Sequence, residues 1–149
     1  MIHYRNKVRQ SGVDARSLKR TARAILDSVG EGNAGLAVSL VGDEEMRELN
    51  RIHRGKDHAT DVLSFPLAVA SDPAAGERLL GDVVISVDTA RRQAADYDAT
   101  LQAEINRLLV HGVLHVIGHD HARADERKRM RAEERRIAAV IGMHWPYAR

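Results

Sequence analysis

Residues 101–121, LQAEINRLLVHGVLHVIGHDH, decide how this chain is read. Leu101, Ile105, Leu108, Leu109, Val113, Val116 and Ile117 recur at helical spacing and mark a long, strongly apolar helix that Gly118 ends. On its C-terminal side a last helix is expected over residues 124–141, charged on one side and carrying Met130, Ile137, Ala138 and Ile141 on the other. On its N-terminal side Asp88 is expected to cap a short helix reaching Tyr97.

Further outward, residues 60–67 and 82–87 hold the β-branched and aromatic residues of two strands, separated by a loop over residues 72–76. Asp43 is expected as an N-cap, with Glu44 and Glu45 in a first turn where the helix dipole favours anions. Met46, Leu49 and Ile52 are its expected buried stripe, and Gly55 its end. Residues 36–41 form another strand. Val13, Leu18, Ala22, Ile25, Leu26 and Val29 predict an amphipathic helix stopped by Gly30, and residues 2–8 a first strand. The class that results is α+β: a single domain with a small four-stranded mixed sheet packed with about five helices.

Composition narrows the function classes. The chain has 149 residues, 44% hydrophobic and 30% charged, which is ordinary for one soluble globular domain. No apolar run is long enough to span a membrane, and no secretory signal is visible at the N-terminus. Cysteine is absent, so disulfides and thiolate ligands are excluded and His and carboxylates remain for any metal. The cytoplasm is the expected location. Net charge is only +2, too mild to announce a nucleic-acid binder, but Arg5, Lys7, Arg9, Arg16, Lys19, Arg20 and Arg23 face Asp14 alone in the N-terminal segment.

The chemistry lies at the end of the long helix. His111 and His115 are one turn apart on one helical face, so their imidazoles can converge on one cation. A glycine at position 118 permits positive φ and a turn that brings His121 back toward the pair. Three histidines leave a fourth tetrahedral position open at zinc, which lowers the pKa of bound water to about 7. One zinc ion per chain is therefore expected. The spacing matches the metzincin pattern H-E-x-x-H-x-x-G-x-x-H, except that Gly112 stands where those peptidases place their glutamate base. Glycine has no proton acceptor, which argues against ordinary peptidase activity. Asp120 is a candidate to orient a ligand ring or to stabilise the turn. Glu104, two turns before His111, is a weak candidate base, with a helix-surface role as the alternative. His119 is a minority candidate ligand; His3, His53, His58 and His144 lack ligand spacing.

The pattern H-G-x-L-H-x-x-G-x-D-H over residues 111–121 resembles the signature of the bacterial rRNA-maturation endoribonucleases of the YbeY family. Residues 49–66, ending in T-D-V-L-S-F-P, and residues 80–85, L-G-D-V-V-I, resemble two further blocks of that family, in the same order. The resemblance runs from about Leu36 to Gly142. His119 and His53 stand where the family often has Tyr, and Ala59 where it often has Pro; none of these is a proposed ligand. The resemblance implies His111, His115 and His121 as metal ligands and Arg54 as the functional arginine. It implies RNA as substrate, notably the 3′ end of 16S rRNA in the small ribosomal subunit, with ribosome-assembly factors as further partners. Arg54, just before Gly55 at a helix end, has the planar charged fork suited to phosphate. The other readings are a non-catalytic zinc-binding ribosome-assembly factor and a metallopeptidase lacking the usual base.

Overall fold

In the computed structural model, residues 1–67, 78–143 and 145 are described; the loop at residues 72–76 and His144 lie outside them. The described elements follow as β1 (Ile2–Asn6), α1 (Ala15–Ser28), β2 (Ala34–Val41), α2 (Asp43–Arg54), β3 (Val62–Pro66), β4 (Arg78–Ser86), α3 (Val87–Asp96), α4 (Leu101–Val116) and α5 (Ala124–Val140). The expected α+β class is what the structure has, with one mixed sheet of strand order β1-β2-β4-β3. β1, β2 and β4 are parallel, and β3 runs antiparallel to β4 at one edge.

Strand alternation builds two unequal layers, because successive side chains point to opposite faces. Leu36, Val38 and Leu40 of β2 and Val83 and Ile85 of β4 face the main core, with α1, α3, α4 and α5. Val41, Val84 and Leu63 face the other way, toward Met46 of α2. The apolar helix anticipated from residues 101–121 is α4, and it is covered nearly all round: Ile105, Leu108, Leu109, Val110, Val113 and Leu114 are all fully buried. No described helix is long and apolar enough to cross a membrane.

Three local expectations need correction. Asp43 is not the N-cap of α2; Gly42 is, without a side-chain bond. Nor does Asp88 cap α3, whose N-cap is Ser86. The two acids instead reach across to each other's helix. Asp88 Oδ2 accepts from the Asp43 backbone N–H at 2.9 Å, while Asp43 Oδ1 accepts from Ser86 Oγ at 2.7 Å and Thr89 Oγ1 at 2.6 Å. Two helix starts lie side by side: Asp88 supplies the acceptor that Gly42 cannot, while Asp43 braces the Ser86 hydroxyl that itself accepts from the Thr89 N–H of α3. Ile52 is the third correction: it is 59% exposed. The buried slot goes to Asn50, whose Nδ2 donates to the His58 carbonyl at 2.8 Å and ties down the chain after α2.

β4 also starts earlier than expected, at Arg78 rather than residue 82. Gly81 lies inside the strand. It pairs with Pro66 of β3, and a Cβ at Gly81 would stand 2.4 Å from the Phe65 carbonyl oxygen. The glycine thus permits a close approach of the edge strand.

Candidate metal centre

The centre is assembled by the end of α4 and the turn that follows. Val116 is the last residue of α4, Ile117 its C-cap, and Gly118 follows at φ +107°. The His119 N–H reaches the Leu114 carbonyl at 2.9 Å and the Gly118 N–H the His115 carbonyl at 3.1 Å, the paired bonds of a Schellman turn. The turn expected from Gly118 is therefore formed, and it returns His121 to the helical pair. Potential ligand atoms of His111, His115 and His121 all lie within 4.8 Å of one another. The ring centroids stand 4.7 Å (His111–His115), 5.6 Å (His111–His121) and 4.9 Å (His115–His121) apart.

The donor set suits a divalent cation. Four-coordinate zinc with Zn–N near 2.0–2.1 Å separates its ligand nitrogens by roughly 3.3 Å, and His111 Nε2 and His115 Nε2 are 3.1 Å apart. His111 Nδ1 lies 3.3 Å from Glu134 Oε1. In the tautomer that donates this bond, Nε2 carries the lone pair a metal needs. Burial, helped by the neighbouring His111 and His121, pushes the His115 pKa down to about 4. That ring is neutral at physiological pH and presents a lone pair without first losing a proton. Among the described residues the cluster contains three histidines, and His119 is not part of it.

α5 supplies support that the sequence reading missed. Glu134 is the carboxylate against the His111 Nδ1 nitrogen, with its side chain 12% exposed. Arg127 Nη1 donates to the His121 and Ala122 carbonyls at 3.2 and 3.1 Å and holds the segment that carries the third histidine. Arg127 and Glu134 are seven residues apart, two turns on one helical face, which is the signal that links them. Asp120 acts within its own turn: its Oδ1 accepts from the His121 N–H at 2.7 Å. That bond, with the nearby imidazoles, holds its pKa below the usual carboxylate value despite some desolvation.

Glu104 is neither a surface residue nor part of the cleft. It is fully buried, and its Oε1 accepts from Gln93 Nε2 and Arg107 Nε, both at 3.0 Å. Arg107 also lies 4.0 Å from Asp61 at the foot of β3. Seven residues of helix put Glu104 about 10 Å along the axis from His111. Gly112 faces the sheet: a Cβ there would stand 2.6 Å from Val83 Cγ1, and the Gly112 carbonyl accepts from Ser64 Oγ at 2.9 Å. A glutamate at this position has no room. His53 packs edge-on against Phe65 with centroids 5.0 Å apart, and His58 Nδ1 lies 3.1 Å from the Ala59 carbonyl.

Arg54, the last residue of α2, lines the same cleft as His115, His121, Ser64 and Pro66. α2 and α4 cover opposite faces of the sheet, so the cleft passes over the β3 edge. The cleft thereby brings the Arg54 cation together with His115 and His121 of the cluster.

The fold and site define an α+β protein with a three-histidine centre able to hold a metal ion, two of whose histidines share a cleft with an arginine. The family model for "Endoribonuclease YbeY" matches residues 3–142, and the chain belongs to that family. It is 50% identical over 129 residues to a Myxococcus xanthus protein named Endoribonuclease YbeY, covering 87% of this chain and 44% of that one. Of the Anaeromyxobacter relative that is 47% identical it spans 66%. The Thermus thermophilus protein of the same name is 42% identical, with 91% of this chain and 96% of that one covered. A Thermotoga maritima protein whose structure was solved in solution is similar with TM-score 0.64 and 26% identity, over 95% of this chain and 90% of that one.

Proposed function

We propose that this chain is a metal-dependent hydrolase: a zinc-dependent endoribonuclease that prefers single strands and acts, as one domain over residues 1–149, in maturation of the 16S rRNA 3′ end and ribosome quality control. It works in the cytoplasm, on RNA of the small ribosomal subunit and beside ribosome-assembly factors. The observation that carries the reading is the convergence of His111, His115 and His121, two of which, His115 and His121, line one cleft with Arg54, in a chain of this family.

His111, His115 and His121 would hold the metal, which when bound would supply Lewis acidity toward a phosphate oxygen. Glu134 fixes the His111 tautomer, and Arg127 holds the His121 backbone. Arg54 binds a phosphate oxygen through its planar fork and stabilises the charge that gathers as the phosphodiester is attacked. A structural zinc normally closes with four protein ligands, whereas this cluster has three among the described residues. That favours catalysis over a purely structural role. The peptidase reading lacks its base at Gly112.

The test uses metal-loaded protein and single-stranded and duplex RNA, with and without chelator. Cleavage should be confined to the single strand and stop when metal is removed. Arg54→Ala should keep fold and metal while cutting the cleavage rate about a hundredfold, the loss typical of one donor to developing charge. Unchanged rates in that variant would return Arg54 to an ordinary surface charge.

A further inference from the structure

The β3 edge carries a donor pattern that neither the metal nor Arg54 explains. In an antiparallel pair, opposed residues alternate between exchanging both backbone bonds and exchanging none. The Leu67 N–H bonds to the Leu80 carbonyl and the Ser86 N–H to the Asp61 carbonyl. With the register Val62↔Ile85 through Pro66↔Gly81, residues 61, 63, 65 and 67 therefore bond to β4. The N–H and C=O groups of Val62, Ser64 and Pro66 point outward from the sheet.

Two of these three outward positions have no free donor. The Val62 N–H is taken by Asp61 Oδ1 at 2.7 Å, and proline has no N–H. Ser64 remains. Its hydroxyl is committed to the Gly112 carbonyl, but its backbone N–H and C=O leave the strand side by side, in the cleft that Ser64 shares with Arg54 and the histidines.

A peptide added as a strand draws on donors at alternate residues, and here it would find one. A phosphate would meet the Ser64 carbonyl beside the N–H and be repelled. An unpaired nucleobase offers a neighbouring donor and acceptor in one plane, the pair this edge can satisfy once. Pro66 also lines the adjoining groove with Leu67 and Leu80, and Leu67 is 46% exposed, giving an apolar wall for the face of a base.

We propose that the β3 edge reads one base of a single-stranded RNA through the backbone N–H and C=O of Ser64, while Arg54 takes the neighbouring phosphate. This rests on the ribonuclease reading and deepens it. A duplex has its Watson–Crick edges paired already, so the same contact favours unpaired RNA.

The probes are a mixed-sequence RNA strand made non-cleavable by 2′-fluoro substitution and an abasic strand of equal length, bound to metal-loaded protein and followed by fluorescence anisotropy. The native chain should bind the base-bearing strand about tenfold more tightly, roughly the yield of one or two hydrogen bonds. Ser64→Ala keeps the N–H and should keep most of that preference; Ser64→Pro should lose it while retaining metal. If the proline variant does not fold, replacing the residue-64 amide by an ester removes the same N–H and carries the same expectation. Equal binding of the two strands by the native chain, or a preference that survives loss of the N–H, overturns the proposal even if RNA is still cleaved. A native chain that neither binds nor cleaves any RNA overturns the ribonuclease reading as well.

Discussion

At the scale of single residues, the candidate centre depends on groups that touch its three histidines as well as on the histidines themselves. Glu134 holds one tautomer of His111, so Glu134→Ala should weaken metal affinity about ten- to a hundredfold with the fold intact. Glu134→Gln, which keeps an acceptor, should lose less. Competition against a chromophoric chelator reads both. His115 supplies a pH dependence. Its pKa falls from 6.5 unfolded to about 4 folded, chiefly through burial. The unfolded chain therefore binds the proton first as pH drops, so the metal-free protein should lose stability between pH 6.5 and about 4. Denaturant midpoints across that range check the sign, and a midpoint that rises toward acid would contradict it.

At the scale of elements, the packing of α4 on the sheet limits what the helix can carry. Gly112 meets Val83 Cγ1 and Cγ2, at 2.6 and 3.1 Å from where a Cβ would sit. Alanine improves helix propensity by about 1 kcal/mol, but overpacking a filled core costs about 1–3 kcal/mol. Val83 lies in a central strand, with little freedom to withdraw. Gly112→Ala should therefore lower the melting temperature, and a gain in Tm would show that the helix can lift from the sheet. The missing glutamate base of the peptidase pattern has the same cause: this face of α4 is occupied by the sheet.

At the scale of the whole molecule, α3, α4 and the foot of β3 are joined by Gln93, Glu104, Arg107 and Asp61. Glu104 has no exposed surface, and its side chain forms an ion pair with Arg107. Removing one member of a buried pair costs about 3–5 kcal/mol, whereas replacing both by apolar residues of similar volume is often neutral. Arg107→Met should therefore destabilise strongly in urea titration, and Glu104→Leu together with Arg107→Met should recover most of the loss. Equal losses in the single and double variants would assign the cost to packing rather than to loss of the ion pair.

The sequence by itself determined what depends on neighbours along the chain. Apolar spacing marked α4, offsets of four and ten placed three histidines together, and Gly118 announced the turn that closes them; all three follow from helical period and local backbone sterics. Even the α+β class was legible, since strand and helix periods differ. Tertiary structure alone decided what crosses between distant segments: Arg54 brought into one cleft with His115, Glu134 set against His111, Asp88 capping the start of α2, and Glu104 buried on Arg107. Each of these pairs joins different elements or depends on burial, and no local period records which helix comes to rest beside which. The edge position of β3 belongs to the same class, because strand order follows from how the layers pack, and it is that order which leaves Ser64 facing the cleft.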